Sequence, residues 1–190
     1  MKTMLRPLFV LFALLTVLTG VVYPLLITGI GKIAFPRQVS GSLVVRNDKV
    51  VGSMLISQSF QEPKYFWGRI SATSPMANNA SASGGSNFGP TNPALIEAVK
   101  ARIDALKAAD PDNPLPIPVD LVTASASGLD PDISPAAALY QVARVARARH
   151  IDPVKLRESV LAQVKGPQWG IFGEARVNVL MLNLSVDGAR

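Results

Sequence analysis

A long run of uncharged residues, from Pro7 to Gly31, dominates the pattern of hydrophobic and polar positions along the chain. At a rise of ~1.5 Å per residue, a helix of this length reaches ~37 Å, which is enough to cross the ~30 Å hydrocarbon layer of a bilayer with some tilt. The pattern therefore predicts that residues 1–34 form a short N-terminal tail and a single transmembrane anchor.

A cleaved secretory signal is the alternative interpretation of this run, because Lys2 and Arg6 precede it. Such a signal has an apolar region of ~7–15 residues followed by small residues at the cleavage site. The run here is longer, and residues 19–24 contain no such site, so an uncleaved anchor is the better interpretation. Basic residues flank the span on both sides and leave its orientation open. Our working hypothesis places the N-terminal tail inside and residues 35–190 on the extracytoplasmic side.

The segment after the anchor begins with the pattern of a β-hairpin. Apolar residues at 42–46 and 50–56 flank the turn-forming sequence Asn47-Asp48-Lys49. Tyr65-Phe66-Trp67 is a candidate for a short aromatic strand, whereas residues 71–93 lose all apolar periodicity.

Three helices are predicted next, each opened by a capping side chain and a proline at the first helical position. They begin at Asn92-Pro93, Ser134-Pro135 and Asp152-Pro153; the first runs to about Ala109 and the third to Gly166. Strands are predicted at 118–123 and, as the central strand of a sheet, at 176–184. Strands followed by helices and a closing strand indicate an α+β fold: one N-terminal transmembrane helix and then a single mixed α/β soluble domain.

Composition excludes several kinds of chemistry. Residues 33–190 hold 16 basic and 13 acidic residues, a difference of +3, which is too mild and too dispersed for a nucleic-acid interface. No phosphate-binding loop with the glycine-lysine signature is present. With one histidine, His150, and no cysteine, the chain has few zinc ligands, and His150 is interpreted as a surface or capping residue. The chain on its own is therefore predicted to be non-catalytic, with no metal site.

Two segments are not typical of a mere scaffold. In the first, residues 52–69, Gln58 and Arg69 are polar groups among dense aromatic residues, although a core strand with polar edges would have the same composition. In the second, successive glycines precede a helix start and would expose backbone N–H groups as an anion-binding nest, although a flexible connector is the alternative. The candidate binding residues are Gln58, Ser83, Gly84, Gly85, Ser86 and Asn87.

These segments resemble the C subunit of the bacterial Kdp potassium-transporting P-type ATPase. The resemblance covers essentially the whole chain, and the stretch from Val119 to Ala137 is its most specific part. Residues 52–69, 83–93 and 173–180 also match. Ser57 stands where the family usually has glycine and Ile70 where it usually has proline, which leaves family and fold unaffected.

The resemblance implies an accessory, single-span subunit of a four-component inner-membrane complex for high-affinity K⁺ uptake. Its partners would be a K⁺-selecting channel-like subunit, an ATP-hydrolysing P-type subunit and a small single-span subunit. The complex uses ATP, Mg²⁺ and K⁺, while this chain carries no cofactor of its own. The family is described as a catalytic chaperone that raises the affinity of the ATPase for ATP, and Gln58 and the glycine-serine loop have been likened to a nucleotide-contacting signature motif.

The extracytoplasmic hypothesis conflicts with direct nucleotide contact, because the bilayer would separate residues 83–87 from cytoplasmic ATP. On the outside, this loop would instead contact the K⁺-selecting subunit. Two other interpretations stay open: an anchored Ser-Lys hydrolase, with Ser53 or Ser74 as nucleophile, and a binding module of another complex.

Overall fold

The computed structural model describes residues 2–188 of the chain, which divide into two compact units. The first unit ends at Leu43 and the second begins at Val44. Each unit has its own architecture, one a long apolar helix and the other a helical domain with two small sheets.

The first unit is built on one long helical segment. It consists of α1 (Lys2–Val17), a π-helical turn (Leu18–Val22) and α2 (Tyr23–Ala34), followed by the short α3 (Pro36–Val39). Residues 4–34 are long and apolar enough to cross a membrane, and the side chains from residue 4 to residue 30 are exposed. This confirms the predicted single apolar helix and fits a single-pass membrane protein.

The π-helical turn lies directly before Pro24. A proline has no N–H to donate to the carbonyl four residues earlier, so the regular bonding pattern is interrupted there. Tyr23 N–H donates to the Leu18 carbonyl instead, five residues back, and the Thr19 hydroxyl donates to the Leu15 carbonyl at 2.7 Å. Backbone adjustments of this kind are how helices within lipid keep their polar groups satisfied.

The predicted hairpin is confirmed, with a shorter second strand. Strands β1 (Leu43–Arg46) and β2 (Lys49–Ser53) form a two-stranded sheet. Asn47 and Asp48 occupy the turn with φ angles of 50° and 58°, a left-handed conformation that these two residue types tolerate well.

The helix starts predicted from capping residues are also confirmed. Helix α4 is Pro93–Ala109, α5 is Pro135–Tyr140 and α7 is Pro153–Ala162, and α6 (Val142–Arg149) continues α5 after a break at Gln141. The capping oxygens of the residues before the three prolines accept backbone N–H groups at 2.9–3.0 Å. His150 ends α6 in the left-handed conformation (φ 58°), as a capping residue does.

Both strands predicted in the second half of the domain are wrong. The segment 118–123 forms a 3₁₀ turn at Val119–Leu121. The segment 176–184 contributes only β4 (Val177–Asn178), which pairs antiparallel with β3 (Asp132–Ile133), and then continues as α8 (Val179–Gly188). The Asn178 side chain accepts Met181 N–H at 3.1 Å and so caps α8, a local signal that the apolar run conceals.

The core of the domain lies among α4–α8 and encloses the aromatic segment 65–67. This segment is not a strand, because side-chain amides take the place of a neighbouring strand. Asn183 Oδ1 accepts Phe66 N–H at 2.8 Å and its Nδ2 donates to Phe66 O at 3.0 Å. Gln141 bonds Trp67 in the same way, at 2.8 and 3.1 Å. The largest fully buried apolar residues are Phe66, Leu106, Leu121, Val145, Val160, Val177 and Leu182.

Trp67 is also the centre of a buried cationic cluster. The Arg144 guanidinium lies 4.4 Å and that of Arg102 5.2 Å from the centroid of its ring system. Burial lowers the pKa of Arg144 to about 10, and a nearby carboxylate, Asp110, opposes this shift, so the side chain stays charged at neutral pH. Its Nη2 donates to Gln141 Oε1 at 2.6 Å, which links the cluster to the amide that holds Trp67.

Candidate functional site

Gln58, the first of the predicted site residues, is tied to the β-hairpin. Its Nε2 donates to the Val51 carbonyl at 2.8 Å, and the amide lies directly over Gly52. A Cβ atom at Gly52 would lie 1.7 Å from Gln58 Nε2, so only glycine leaves room for this contact. The half-buried side chain is therefore fixed and not free to reorient toward a ligand.

Gln58 lines a polar cleft of about 180 Å³ together with Arg69 and Arg102. Arg69 Nη1 pairs with Asp130 at 3.1 Å. Arg102 Nε donates to the Leu121 carbonyl at 2.9 Å, and burial lowers the pKa of Arg102. Guanidinium and amide groups at one cleft favour oxygen acceptors, such as a carboxylate or a backbone carbonyl. Gln58 and Arg69, the two polar residues noted in the segment 52–69, therefore line the same cleft.

The glycine-serine loop packs against a second loop, residues 125–128. Gly84 N–H donates to the Ser127 carbonyl at 2.9 Å, and the Ser83 hydroxyl donates to the same oxygen at 3.0 Å. A Cβ atom at Gly85 would lie 2.7 Å from the Ala126 carbonyl oxygen, so the two backbones are in close contact there. Ser83–Gly85 is thus a packed segment, and one N–H of the predicted nest is bonded inside the protein.

The loop at residues 125–128 is itself organised by its serines. Ser125 Oγ accepts Gly128 N–H at 3.0 Å, Ser127 Oγ accepts Leu129 N–H at 3.1 Å, and the two hydroxyl oxygens are 3.2 Å apart. Gly128 has a φ of +69°, and a Cβ atom there would lie 2.7 Å from the Gly84 carbonyl oxygen. A turn of this kind therefore requires glycine at 128 both for its conformation and for its fit against Gly84.

A network of hydroxyl and amide groups joins both loops to the segment that carries Gln58. Ser71 Oγ donates to the Gly128 carbonyl at 2.7 Å and accepts Asn78 N–H at 2.9 Å. Ser57 Oγ donates to Asn78 Oδ1 at 2.5 Å, and Ser57 N–H donates to the Leu129 carbonyl at 2.9 Å. Four segments of the chain are thereby held as one surface patch, which we call the serine-glycine patch: residues 57–59, 71–79, 83–87 and 124–129.

The predicted site residues line two different cavities. Gly85 and Ser86 face a mostly apolar cavity of about 370 Å³ that is also lined by Phe88 and by Leu95 of α4. Gln58 lines the polar cleft instead, and Ile70 is common to both. Asn87 is exposed, with a φ of 50°. The loop and Gln58 therefore belong to one patch without forming a single binding pocket.

Sequence analysis missed the part of the patch contributed by Ser71, Asn78, Ser125 and Ser127. The alternation of serine at 125 and 127 before Gly128 is the pattern of a side-chain-stabilised turn, and it was the available signal. Its partners lie 40 or more residues away in the chain, as in the Ser83–Ser127 contact, so local pattern does not reveal them.

Of the two candidate nucleophiles of the hydrolase alternative, Ser53 is the last residue of β2 and Ser74 lies in a bend. Ser53 Oγ accepts Leu55 N–H at 3.1 Å, and the Ser74 carbonyl accepts from the Asn79 side chain at 3.0 Å. Neither serine lines the polar cleft around Gln58. Within residues 2–188, no group of three or more His, Cys, Asp or Glu side chains is arranged to hold a metal ion.

A single helix long and apolar enough to cross a membrane precedes an α+β domain with a polar surface patch, and this arrangement fits a membrane-anchored protein. Comparison with known proteins identifies the family. The family model for KdpC, the c chain of the K⁺-transporting ATPase, matches residues 5–188. The chain belongs to this family and is a subunit of a K⁺-transporting ATPase.

Similar proteins match over nearly their full length, and each of the three cited here is described as a potassium-transporting ATPase KdpC subunit. The one from Dechloromonas aromatica (strain RCB) is 65% identical over 187 residues, covering 98% of both chains. The one from Janthinobacterium sp. (strain Marseille) is 62% identical, with 98% of this chain and 99% of the relative covered. The one from Polaromonas naphthalenivorans (strain CJ2) is 61% identical and covers all of this chain and 97% of the relative.

Proposed function

We propose that this chain is a non-catalytic accessory subunit of a high-affinity, ATP-driven K⁺ uptake complex of the bacterial inner membrane. Its proposed partners are a K⁺-selecting channel-like subunit, a P-type ATP-hydrolysing subunit and a small single-span subunit. Membership of the family over residues 5–188 supports this role, as does the apolar helix at residues 4–34. ATP, Mg²⁺ and K⁺ are used by the complex, and this chain has no cofactor of its own.

We further propose that the serine-glycine patch contacts a partner subunit and not a nucleotide. The observation that carries this proposal is the internal bonding of the loop: Gly84 N–H donates to Ser127 O, and Gly85 is packed against the Ala126 carbonyl. An anion-binding nest needs several free N–H groups converging on one point. A closed, fixed loop suits a protein contact better, because little conformational entropy is lost on binding.

An effect on ATP affinity would then be indirect. As a catalytic chaperone, the chain would favour one arrangement of the partner subunits, and this arrangement would bind ATP more tightly. Coupling of this kind requires only that the patch bind two states of its partner with different affinity.

The side of the membrane is tested with one engineered cysteine, because the chain has none of its own. Ser81→Cys places the thiol on an exposed residue between two segments of the patch, 71–79 and 83–87. We expect it to react with a membrane-impermeant maleimide in intact cells whose outer membrane has been permeabilised. A cysteine inserted after Met1 is the matched control, and it is expected to react only after lysis. Labelling of Ser81→Cys only after lysis would contradict the extracytoplasmic placement.

Direct nucleotide contact is tested separately. The full-length chain, purified in mild detergent without its partners, is expected to give no saturable binding of Mg-ATP in equilibrium dialysis. The assembled complex, which contains the ATP-hydrolysing subunit, is the positive control. Saturable binding by the chain alone that Gln58→Ala or Ser83→Ala abolishes would favour the nucleotide interpretation instead.

A further inference from the structure

An exposed apolar hairpin projects from the domain between α7 and β4. Lys165 and Arg176 exchange backbone hydrogen bonds at 2.8 and 2.9 Å at its base, and Gln168 and Phe172 do so at 2.8 and 3.0 Å nearer the tip. The chain turns at Trp169 and Gly170, which have φ angles of 55° and 76°. The conformation of the tip is therefore fixed by its own ladder of hydrogen bonds.

The large side chains at the tip are among the most exposed apolar groups of the domain. Trp169 is 81%, Ile171 79% and Phe172 60% exposed, and the rings of Trp169 and Phe172 meet edge to face at 5.9 Å. Residues 166–173 contain no charged side chain. Turns usually carry polar residues. Three large apolar side chains together at this turn therefore indicate a surface that is shielded from water when the protein functions.

We propose that this aromatic hairpin inserts into the interfacial region of the bilayer on the side where the domain lies. Only residues 35–43 separate the end of α2 from the domain, which limits the separation to ~30 Å even for an extended chain. The bilayer is thus an apolar phase within reach of every copy of the domain. The tether is equally short whether the domain lies on the cytoplasmic or the extracytoplasmic side, so the proposal does not depend on the orientation of the anchor. It goes beyond the proposed function.

The chemistry of the hairpin matches the membrane interface. Trp is enriched at the level of the lipid headgroups, where its ring is half in the apolar phase. The backbone bonds between residues 168 and 172 satisfy polar groups that lipid would leave unpaired. Lys165 at the base carries the charge that suits anionic headgroups, while Arg176 is already paired with Asp132 at 3.0 Å. Glu174 lies on the same arm and is exposed, so insertion is expected to stop above it.

The chain offers a built-in fluorescence test, because its two tryptophans differ in exposure. Trp67 is 8% exposed and Trp169 81%, so subtracting the emission of a Trp169→Phe variant isolates the signal of Trp169. The full-length chain and the assembled complex are each reconstituted into vesicles of phosphatidylethanolamine and phosphatidylglycerol. Quenching is then measured with lipids brominated along the acyl chains and, separately, with aqueous iodide.

We expect the Trp169 signal to be blue-shifted, quenched by the brominated lipids and protected from iodide, in the chain and in the complex. Iodide quenching without lipid quenching would overturn the proposal, because the tip would then lie in water. Protection from both quenchers in the complex would also overturn it, since a protein pocket would then cover the tip.

A matched pair of variants separates insertion from a general loss of folding. Ile171→Asp adds a charge at the tip and is expected to shift the Trp169 emission to the red and to abolish lipid quenching. Val154→Asp adds the same charge at a 63% exposed valine in the first turn of α7 and is expected to leave the Trp169 signal unchanged. Equal effects of the two variants, or none from Ile171→Asp, would contradict the proposal.

Discussion

Replacing Gln141 with leucine is expected to lower the free energy of unfolding by roughly 2–5 kcal/mol, because it leaves two peptide groups buried without partners. Gln141 is 1% exposed, and its amide satisfies both the N–H and the carbonyl of Trp67. Leucine has a similar volume, so the expected loss comes from hydrogen bonds and not from a cavity. Arg144 would lose its Gln141 acceptor as well. The measurement is chemical unfolding of the full chain in detergent, followed by circular dichroism.

Gln61→Leu makes the same chemical change at an exposed glutamine and is the matched control. We expect its free energy of unfolding to stay within about 0.5 kcal/mol of the wild-type value, as is usual for surface substitutions. Similar values for the two variants would mean that water or a backbone shift satisfies Trp67 when the amide is absent. The same reasoning applies to Asn183, which is 1% exposed and whose side-chain amide bonds both the N–H and the carbonyl of Phe66.

The amide contacts also explain which features of the fold were open to prediction. The helix starts at residues 93, 135 and 153 depend on a capping side chain and a proline next to each other, so local sequence is sufficient. The turn between β1 and β2 likewise depends on two adjacent residues, Asn47 and Asp48. Phe66, in contrast, is paired with a residue 117 positions away, and no local pattern indicates that a side chain replaces a strand there.

The apolar run at the end of the chain failed as a strand prediction for a different reason. Helix α8 is buried on several sides, with Val179, Leu180, Leu182 and Val186 all in the interior, and so its helical periodicity is hidden. Short apolar runs that are wholly buried do not distinguish helix from strand by pattern alone. The capping side chain of Asn178 is the local signal that favours a helix here.

The sequence indicates the candidate residues but not how the loop that contains them is packed. Successive glycines at 84 and 85 indicate either a source of free N–H groups or a flexible connector. Only one of these glycines is needed for close packing: a Cβ atom at Gly84 would meet nothing within 4 Å, whereas one at Gly85 would lie 2.7 Å from the Ala126 carbonyl. The difference depends on the loop at 125–128, which lies some 40 residues further along the chain, and it provides a direct test.

Gly85→Ala is expected to weaken the function of the complex far more than Gly84→Ala. A Cβ atom against a backbone oxygen forces the two loops apart, with a cost of about 1–3 kcal/mol, which is typical of overpacking. If the patch contacts a partner subunit and thereby raises ATP affinity, the KM for ATP of the purified complex should rise at least about fivefold, the lower end of typical coupling between sites. The measurement is K⁺-stimulated ATPase activity as a function of ATP concentration.

Gly84→Ala controls for the loss of a glycine in the same loop, since its new methyl group points into open space and the N–H bond to Ser127 is retained. Two measurements report whether Gly85→Ala keeps its core: the unfolding transition, and the emission of buried Trp67 in a Trp169→Phe background. A folded Gly85→Ala variant that assembles and keeps the wild-type KM would contradict the role of the patch in ATP affinity. A variant that folds but no longer copurifies with its partners would support the patch as a contact surface, and it would place the defect in assembly, before any effect on ATP.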